Sequence, residues 1–455
     1  MADNQPRGNE PKLRTGIYWF TNDLRIEDNR ALSRAAERTS QLLCCYVVDP
    51  SWFTPNRYGL RPLGDHRWRF LYQTLVDLKH SLEGLGQDLL IIYQSPLDAL
   101  AQLISQYDVD GLFRSQNAGF YENGLWQTLQ RRYQFLHFEE LATHTLFTAA
   151  SLPFALSGLP ATFSKFRKLI EPLNNGEDLC AVIQLPPPPR VNDRTLTKLP
   201  SAAGESKSEV FKGGANEGHR HLSRYFGTRL PSSYKQVRNA LDGWENSTKF
   251  SPWLANGSLS ARQILSALRH YESGVEANES TYWIQFELLW REYFQWLAHA
   301  HQATLFTLHG ISRKKVLTSF YPERFQRWCQ GNTPFPLVNA CMKQLNATGY
   351  MSNRGRQIVA SCFVNELDLD WRYGAAYFEQ QLVDYDVAVN WGNWQYLAGV
   401  GTDPRGKRHF DIEKQTKLYD PDKRFIAKWR GETGATSLDS VDAADWPIIN
   451  SESLR

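Results

Sequence analysis

Two carboxylates, an amide and several large rings lie close together in the segment DYDVAVNWGNWQY, residues 384–396. Such groups can hydrogen-bond and stack against a flat polar ligand. Asp384 and Asp386 are also typical of a helix N-terminus, and Trp391 and Trp394 are typical of core packing. This segment alone leaves both interpretations open.

A second polar and aromatic group lies in FELLWREYF, residues 286–294, which has helical periodicity. Glu287, Trp290 and Arg291 follow the i, i+3, i+4 spacing, so they share one helix face. A carboxylate, a ring and a guanidinium are costly to bury without a partner. The face therefore predicts a polar site.

Two further segments carry related chemistry. YMSNRGRQ contributes Asn353, Arg354 and Arg356. TKFSPWLANGSLS, residues 248–260, is rich in hydroxyl groups and precedes a predicted helix, so it could hold a phosphate, although a capped helix has the same pattern. Four such segments in one helical region are hard to explain by packing alone. A large bound cofactor would satisfy them together.

The predicted elements divide the chain into four parts. Over residues 14–140, β-rich runs such as GIYWF and QLLCCYVVD alternate with helical patterns, which is typical of a doubly wound parallel sheet in an α/β domain. Residues 141–215 contain a PPPP run and predict an interdomain linker. Helical periodicity over 216–430 predicts an all-α domain, and the polar residues 431–455 predict a flexible tail.

The composition argues against several classes of protein. No GxGxxG fingerprint follows the first predicted strand, the 6 cysteines form no CxxC pair, and no run reaches the roughly 18 apolar residues of a membrane span. We therefore expect a soluble cytoplasmic protein with reduced thiols and no metal site. The net charge is only +3, but runs such as HRHLSRYFGTRL and SRKK place cations near aromatic residues. That pattern favours either a nucleic-acid surface or a solvated face.

The longer motifs point to one family. WFTNDLRIEDNRAL, KFSPWLANGSLS, FELLWREYF, YMSNRGRQIVAS and DWRYGAAYFEQQLVDYDVAVNWGNWQYLAGVGTDPR follow one another along the chain. In this order they resemble the cryptochrome/photolyase family and, within it, the DASH-type cryptochromes. The likeness covers nearly all of residues 14–430.

The resemblance implies an antenna-binding α/β domain and an FAD-binding helical domain. By this resemblance, the residues that bind FAD are Tyr234, Ser247, Thr248, Lys249, Phe250, Ser251, Arg291, Asn353, Arg356, Asp384, Asp386 and Asn390. Asn390 would face flavin N5. We also expect 5,10-methenyltetrahydrofolate as an antenna between the domains, with Glu122 as its carboxylate, although a solvent-facing Glu at a helix start has the same pattern.

In this family, light-excited reduced FAD gives an electron to a cyclobutane pyrimidine dimer, which then splits. The resemblance assigns catalytic roles to Glu287, Asn353, Trp394 and Trp371, the two tryptophans being inner members of an electron relay. The residues that it assigns to the substrate are Glu287, Trp290, Arg354, Gln357 and Tyr396.

Three positions refine this expectation. Tyr396 replaces a tryptophan of the duplex-specific photolyases and Gln357 replaces a methionine, as in the DASH pattern. Tyr396 offers a smaller stacking surface, which favours single-stranded DNA because no base need be unpaired there. Thr318 replaces the outer relay tryptophan, which leaves Tyr321 or Trp328 as nearby substitutes, or direct reduction of Trp371 from solvent if that ring is exposed.

Three functions remain possible at this point. The first is light-driven repair of pyrimidine dimers in single-stranded DNA by a monomer. The second is blue-light reception through FAD without repair, and the third is nucleic-acid binding with a purely structural flavin. Glu287 and Trp290 favour the first, because a photoreceptor needs no contacts to a lesion.

Overall fold

The computed structural model of the protein describes residues 11–173, 179–181, 184–190, 199–201, 210–402, 406 and 408–439. Most of the predicted tail and parts of the predicted linker lie outside these residues. The predicted α/β domain followed by a helical domain is confirmed. Among the described residues, none of the helices combines the length and the apolar character that a membrane span requires.

A five-stranded parallel sheet forms the first domain. Its strands are β1 (Leu13–Phe20), β2 (Thr39–Val48), β3 (Leu89–Tyr93), β4 (Gly111–Ser115) and β5 (His137–Leu141), in the spatial order β3-β2-β1-β4-β5. The accompanying helices are α1 (Arg30–Arg38), α2 (Asp65–Glu83), α3 (Pro96–Gln106) and α4 (Phe120–Arg132). The strand order reverses between β1 and β4, and in such sheets ligands bind beyond the carboxyl ends of the strands at this point.

Alternate residues of the central strands enter two different cores. Tyr18 and Phe20 pack with α1 and α2, whereas Ile17 and Trp19 pack with α3 and α4. Burial on both faces explains why the strands are almost continuously hydrophobic.

The second domain is helical. Its elements, with one helix from the preceding segment, are α5 (Phe163–Ile170), α6 (Ala215–Phe226), α7 (Tyr234–Val237), α8 (Ser251–Ala255), α9 (Ala261–Gly274), α10 (Glu279–His301), α11 (Pro322–Gln330), α12 (Pro336–Thr348), α13 (Asn353–Asn365), α14 (Trp371–Gln381), α15 (Val387–Ala398), α16 (Ile412–Tyr419) and α17 (Arg424–Lys428). Helix α10 contacts α5, α7, α9 and α15.

Side-chain caps fix where the helices that carry the polar motifs begin. Asn278 accepts hydrogen bonds from Ser280 N and Thr281 N at the start of α10. Ser352 accepts one from Gly355 N before α13, and Asp386 caps α15. Each cap satisfies backbone donors that the first helical turn cannot pair.

Buried polar contacts join the two domains. Arg25 donates to Gly257 O at 2.8 Å, and Arg262 pairs with Asp28 at 2.7 Å. Ser260 Oγ donates to the same Asp28 carboxylate at 2.6 Å. These contacts fix the loop before α9 against the α/β domain.

Candidate functional site

A cavity of about 410 Å³ opens between α10, α13 and the segments that precede α8 and α15. Its size is within the range of small-molecule sites. The predicted residues that line it are Tyr234, Ser247, Thr248, Lys249, Phe250, Ser251, Glu287, Trp290, Arg291, Asn353, Arg356, Gln357, Asp384, Asp386 and Tyr396. The four motifs, which are far apart in sequence, therefore meet in one place.

The loop of residues 247–251 forms one wall of this cavity. Lys249 has a positive φ of 56°, a left-handed conformation that is rare for a residue other than glycine. The ring of His221 anchors the loop through Nε2, which lies 2.8 Å from Thr248 O. With its Ser and Thr hydroxyls, the loop offers hydrogen-bond groups suited to a phosphate.

Two carboxylates that line the cavity, the buried Asp384 and the partly buried Asp386, each have a cationic neighbour. Asp384 accepts from Arg356 Nη2 at 3.0 and 2.8 Å. Asp386 Oδ1 caps α15, while its Oδ2 accepts from Gln295 Nε2 at 2.6 Å and lies 3.5 Å from Arg291 Nη2. The acidic pair therefore has a structural role as well as a position facing the cavity.

A smaller cavity of about 100 Å³ adjoins the first and shares part of its lining. Asn390 and Trp394 line this inner space. The Asn390 amide donates to Ala375 O at 3.0 Å, which leaves its oxygen available to accept a hydrogen bond. The inner space can thus receive a flat ring beside an amide.

The carboxylate predicted to meet the lesion lies in the larger cavity. Glu287 forms an ion pair with Arg238, a cavity residue that the sequence did not single out. Burial raises the pKa of Glu287, and the positive charge of Arg238 opposes the shift. This environment favours a carboxyl group that can hold a proton.

Aromatic and polar neighbours complete the mouth of the cavity. Trp290 lies edge-on to Tyr396 with 6.2 Å between ring centroids, and the hydroxyl of Tyr396 accepts from Arg408. Arg354, predicted to contact substrate, does not line the described cavities; it donates to Asn239 Oδ1 at 3.2 Å and stacks on Tyr419.

The predicted relay tryptophans are both buried. Trp394 packs against Phe378 and Trp328, and Gly374 allows its close approach, because a Cβ there would lie 2.3 Å from the Trp394 ring. Trp371 contacts the Trp391 ring at 5.8 Å. Trp371 is only 2% exposed, which argues against its direct reduction from solvent. Trp328 is 0% exposed and its ring lies 6.2 Å from that of Trp394, and its role as a substitute for the outer ring stays a prediction.

A third cavity, of about 470 Å³, lies at the carboxyl ends of β1 and β2, between the domains. Glu122 lines it, as does Glu379 from α14. Burial raises the pKa of both groups, that of Glu379 to about 7, and the charge of Arg67 opposes the shift in each case. Glu122 therefore belongs to a site separate from the cavity that Glu287 lines.

The segment between α14 and α15 forms a wall between these spaces. Val383, Tyr385 and Val387 line the cavity at the sheet, while Asp384 and Asp386 line the cavities of the helical domain. Tyr385 borders both the sheet cavity and the inner cavity. Only a short stretch of chain separates the two sites.

The site fits a large cofactor that combines phosphates, a sugar and a flat ring. Its lining offers a hydroxyl-rich loop, two carboxylates and an inner slot with an amide oxygen. Models of two known domains match the chain: DNA photolyase over residues 16–188, and the FAD binding domain of DNA photolyase over residues 283–448.

Similar proteins cover almost the whole chain. Cryptochrome DASH of Idiomarina loihiensis is 54% identical, with 96% of this chain and 97% of that protein aligned. Cryptochrome DASH of Vibrio parahaemolyticus is 48% identical, with 97% and 99% aligned. The chain belongs to the cryptochrome DASH family. The crystal structure of the cryptochrome from Synechocystis agrees: it is 36% identical, with a TM-score of 0.87 over 92% of this chain and 89% of that one.

Membership of the cryptochrome DASH family identifies the helical half as an FAD-binding domain. Several residues at these sites were missed from the sequence. Gln295 lies one turn after Arg291 on α10, so helical spacing could have found it. Arg238 and Glu379 reach the sites through contacts between distant segments, and no local pattern indicated them. Phe163, which stacks on Trp290, begins the segment FSKFRKLIE, which resembles the linker segment of the DASH-type branch, but that resemblance assigned it no contact with Trp290.

Proposed function

We propose that this member of the cryptochrome DASH family is a light-driven photolyase that splits cyclobutane pyrimidine dimers, preferentially in single-stranded DNA. The observation that carries the proposal is that Glu287 and Trp290 line the same cavity as Arg356, Asp384 and Asp386. Glu287 can hold a proton and Trp290 offers a flat ring, and both lie beside the residues suited to FAD.

Bound FAD supplies the light-driven electron transfer, and the protein supplies recognition and protons. Glu287 would hydrogen-bond the dimer, since its raised pKa allows it to share a proton with a carbonyl oxygen. Arg238 would hold this carboxyl group in place until the substrate arrives. Asn353 and Gln357, at the start of α13, would complete the polar lining around the lesion.

The preference for single strands rests on the aromatic surface. Trp290 offers a ring for stacking, while Tyr396 provides a smaller ring than tryptophan at the neighbouring position. Extracting a dimer from a duplex costs a few kcal/mol, and a single strand largely avoids this cost. A modest stacking surface is therefore sufficient for single-stranded DNA.

Trp394 and Trp371 would serve as oxidisable side chains that supply electrons from the protein. Trp394 lines the inner cavity, and the Trp371 ring contacts that of Trp391. Their burial excludes water from the rings.

The cavity at the sheet would hold the antenna, for which we propose 5,10-methenyltetrahydrofolate. Glu122 and Glu379, two carboxyl groups with raised pKa values, could donate or accept hydrogen bonds at the edge of a pterin ring. An absorption spectrum of the purified protein tests this: a near-ultraviolet band beyond that of flavin supports the antenna, and a flavin spectrum alone contradicts it.

Repair assays test the main proposal. Chemically reduced protein is illuminated with blue light in the presence of the same dimer-containing oligonucleotide, either single-stranded or in a duplex. We expect repair of the single strand to be about tenfold faster or more, because the cost of unpairing is a few kcal/mol.

The matched variants are Glu287→Ala and Glu279→Ala, both on α10. Glu279 lies outside the cavity and pairs with Lys235 at the surface. Glu287→Ala should reduce repair by about a hundredfold with flavin retained, whereas Glu279→Ala should leave repair unchanged. No repair by the parent protein under any illumination would favour a blue-light photoreceptor instead.

A further inference from the structure

Helix α5, in the segment that the sequence indicated only as a linker, reaches the edge of the proposed lesion site. Phe163, its first residue, stacks on Trp290 with 3.7 Å between ring centroids and 13° between ring planes. It also meets Phe286 edge-on at 5.2 Å. Phe163 thus packs on the same face of α10 as Trp290.

Contacts on either side of Phe163 hold α5 in place. Thr162 caps the helix by accepting from Lys165 N, and the phenol of Tyr293 donates to Pro160 O at 3.2 Å. Tyr282 donates to Glu171 at 2.5 Å at the far end. Contacts on the residues before and after Phe163 therefore hold it in position.

The stack determines which part of Trp290 is available to a ligand. Trp290 lines the cavity that also contains Glu287, whereas Phe163 does not, so the ring face covered by Phe163 is turned away from that cavity. Phe163 is 7% exposed and cannot itself meet a ligand there. It covers one face of the tryptophan ring, while Phe294, which does line the cavity, lies 5.7 Å from the same ring at an interplanar angle of 28°.

We infer that Phe163 is a positioning residue for lesion recognition: by stacking on Trp290, it holds that ring ready for the pyrimidine dimer. The inference rests on the proposed function, because it assigns the dimer to Trp290. Without the stack, Trp290 can leave this orientation, and binding a dimer must then restore it. This cost lowers the affinity for DNA that contains a dimer, because the dimer contacts Trp290. It does not affect contacts to the DNA backbone.

The test compares Phe163→Leu with Phe166→Leu in the FAD-loaded protein. Phe166 lies one turn later on α5, is 0% exposed, and packs on Tyr293 and Phe154 without a ring contact to Trp290. Dissociation constants are measured in the dark for a single-stranded oligonucleotide with one dimer and for the same oligonucleotide undamaged. Flavin content and melting temperature are recorded for each variant.

We expect Phe163→Leu to weaken binding of the damaged strand about threefold to tenfold, the range of an aromatic pair, and to leave the undamaged strand unaffected. Phe163→Tyr keeps the ring and should retain the parent's preference. Phe166→Leu should lower the melting temperature without changing the preference. Should Phe163→Leu not fold, Phe163→Met serves the same comparison.

The outcomes separate the two proposals. If the parent protein binds the damaged and the undamaged strand equally, the proposed function is contradicted. A parent that prefers the dimer, together with a Phe163→Leu variant that keeps the full preference, overturns the role of Phe163. Equal weakening on both strands also overturns it, because it indicates a general loss of structure or of DNA contact.

Discussion

Arg356 Nη2 donates to both oxygens of the Asp384 carboxylate, at 3.0 and 2.8 Å, and so joins α13 to the segment before α15. The carboxylate is almost completely buried. The Arg356 side chain is 24% exposed and keeps part of its hydration, so removing its partner costs about 1–3 kcal/mol. The pair is therefore expected to shape the cavity even before a cofactor binds.

Asp384→Asn should reduce the amount of FAD retained per chain and lower the melting temperature. The ratio of flavin to protein absorbance measures the first effect. Asp370→Asn is a matched control, since Asp370 pairs with Arg372 at 2.6 Å without lining the described cavities. Equal flavin retention in both variants would show that Asp384 has only a structural role.

Asn390→Asp should change the spectrum of the one-electron-reduced flavin while FAD stays bound. The amide donates to Ala375 O at 3.0 Å, and an ionised carboxylate cannot make this bond. We expect a stability loss of about 1–3 kcal/mol. Asn365→Asp removes a similar bond, from Asn365 to Ser361 O at 2.9 Å, away from the inner cavity, and should leave the spectrum unaltered. An unchanged spectrum in Asn390→Asp would contradict the placement beside the flavin ring.

Trp394→Phe should abolish photoreduction of the bound, oxidised FAD by an external thiol. The route beyond Trp371 is expected to pass through Trp391, whose ring contacts both Trp371 and Tyr58. Trp391→Phe should therefore slow photoreduction, and so should Trp328→Phe, because the Trp328 ring contacts Trp394 with 6.2 Å between centroids. Rates are measured from the decay of oxidised-flavin absorbance in light.

Thr318→Trp should speed this photoreduction if an outer ring is what the chain lacks. Repair by chemically reduced protein should survive all of these substitutions, because dimer splitting needs no relay. If FAD in Trp394→Phe is photoreduced as fast as in the parent, neither Trp394 nor Trp371 carries electrons to the flavin.

Glu379→Gln should flatten the dependence of stability on pH. Burial raises the pKa of Glu379 from 4.5 to about 7, so folding takes up a proton between these values. The associated stability is fully present below about pH 4.5 and is lost as the pH rises through about 7. It amounts to at most about 3 kcal/mol.

The check is denaturant unfolding at pH 5 and pH 8 for the parent, Glu379→Gln and Glu413→Gln. Glu413 is exposed on α16 and serves as the control. The parent and Glu413→Gln should lose more stability between the two pH values than Glu379→Gln does. Identical losses in all three would show that Glu379 titrates normally.

The sequence predicted those parts of the site that depend on local spacing. The spacing of Glu287, Trp290 and Arg291 places them on one helix face, however that helix packs in the fold. The cap by Asp386 likewise depends only on the helix that follows it. The alternation of strands and helices likewise predicted the parallel sheet. Such features depend on neighbours a few residues away, which a single sequence displays.

Contacts between distant segments could not be predicted from local spacing. Phe163 lies more than a hundred residues before Trp290, and Arg238 is nearly fifty residues before Glu287. The sequence also could not reveal that Trp328 is fully enclosed or that Arg354 turns towards Asn239. These outcomes depend on how helices pack together, which helical periodicity alone leaves open.

The thin wall formed by Val383, Tyr385 and Val387 on one side, and by Asp384 and Asp386 on the other, limits how the two sites can change. A larger side chain at Tyr385 would intrude on both the sheet cavity and the inner cavity, since its ring borders both. Widening one space through this segment takes room from its neighbour. Enlarging either cavity at Tyr385 must therefore be planned for both cavities together.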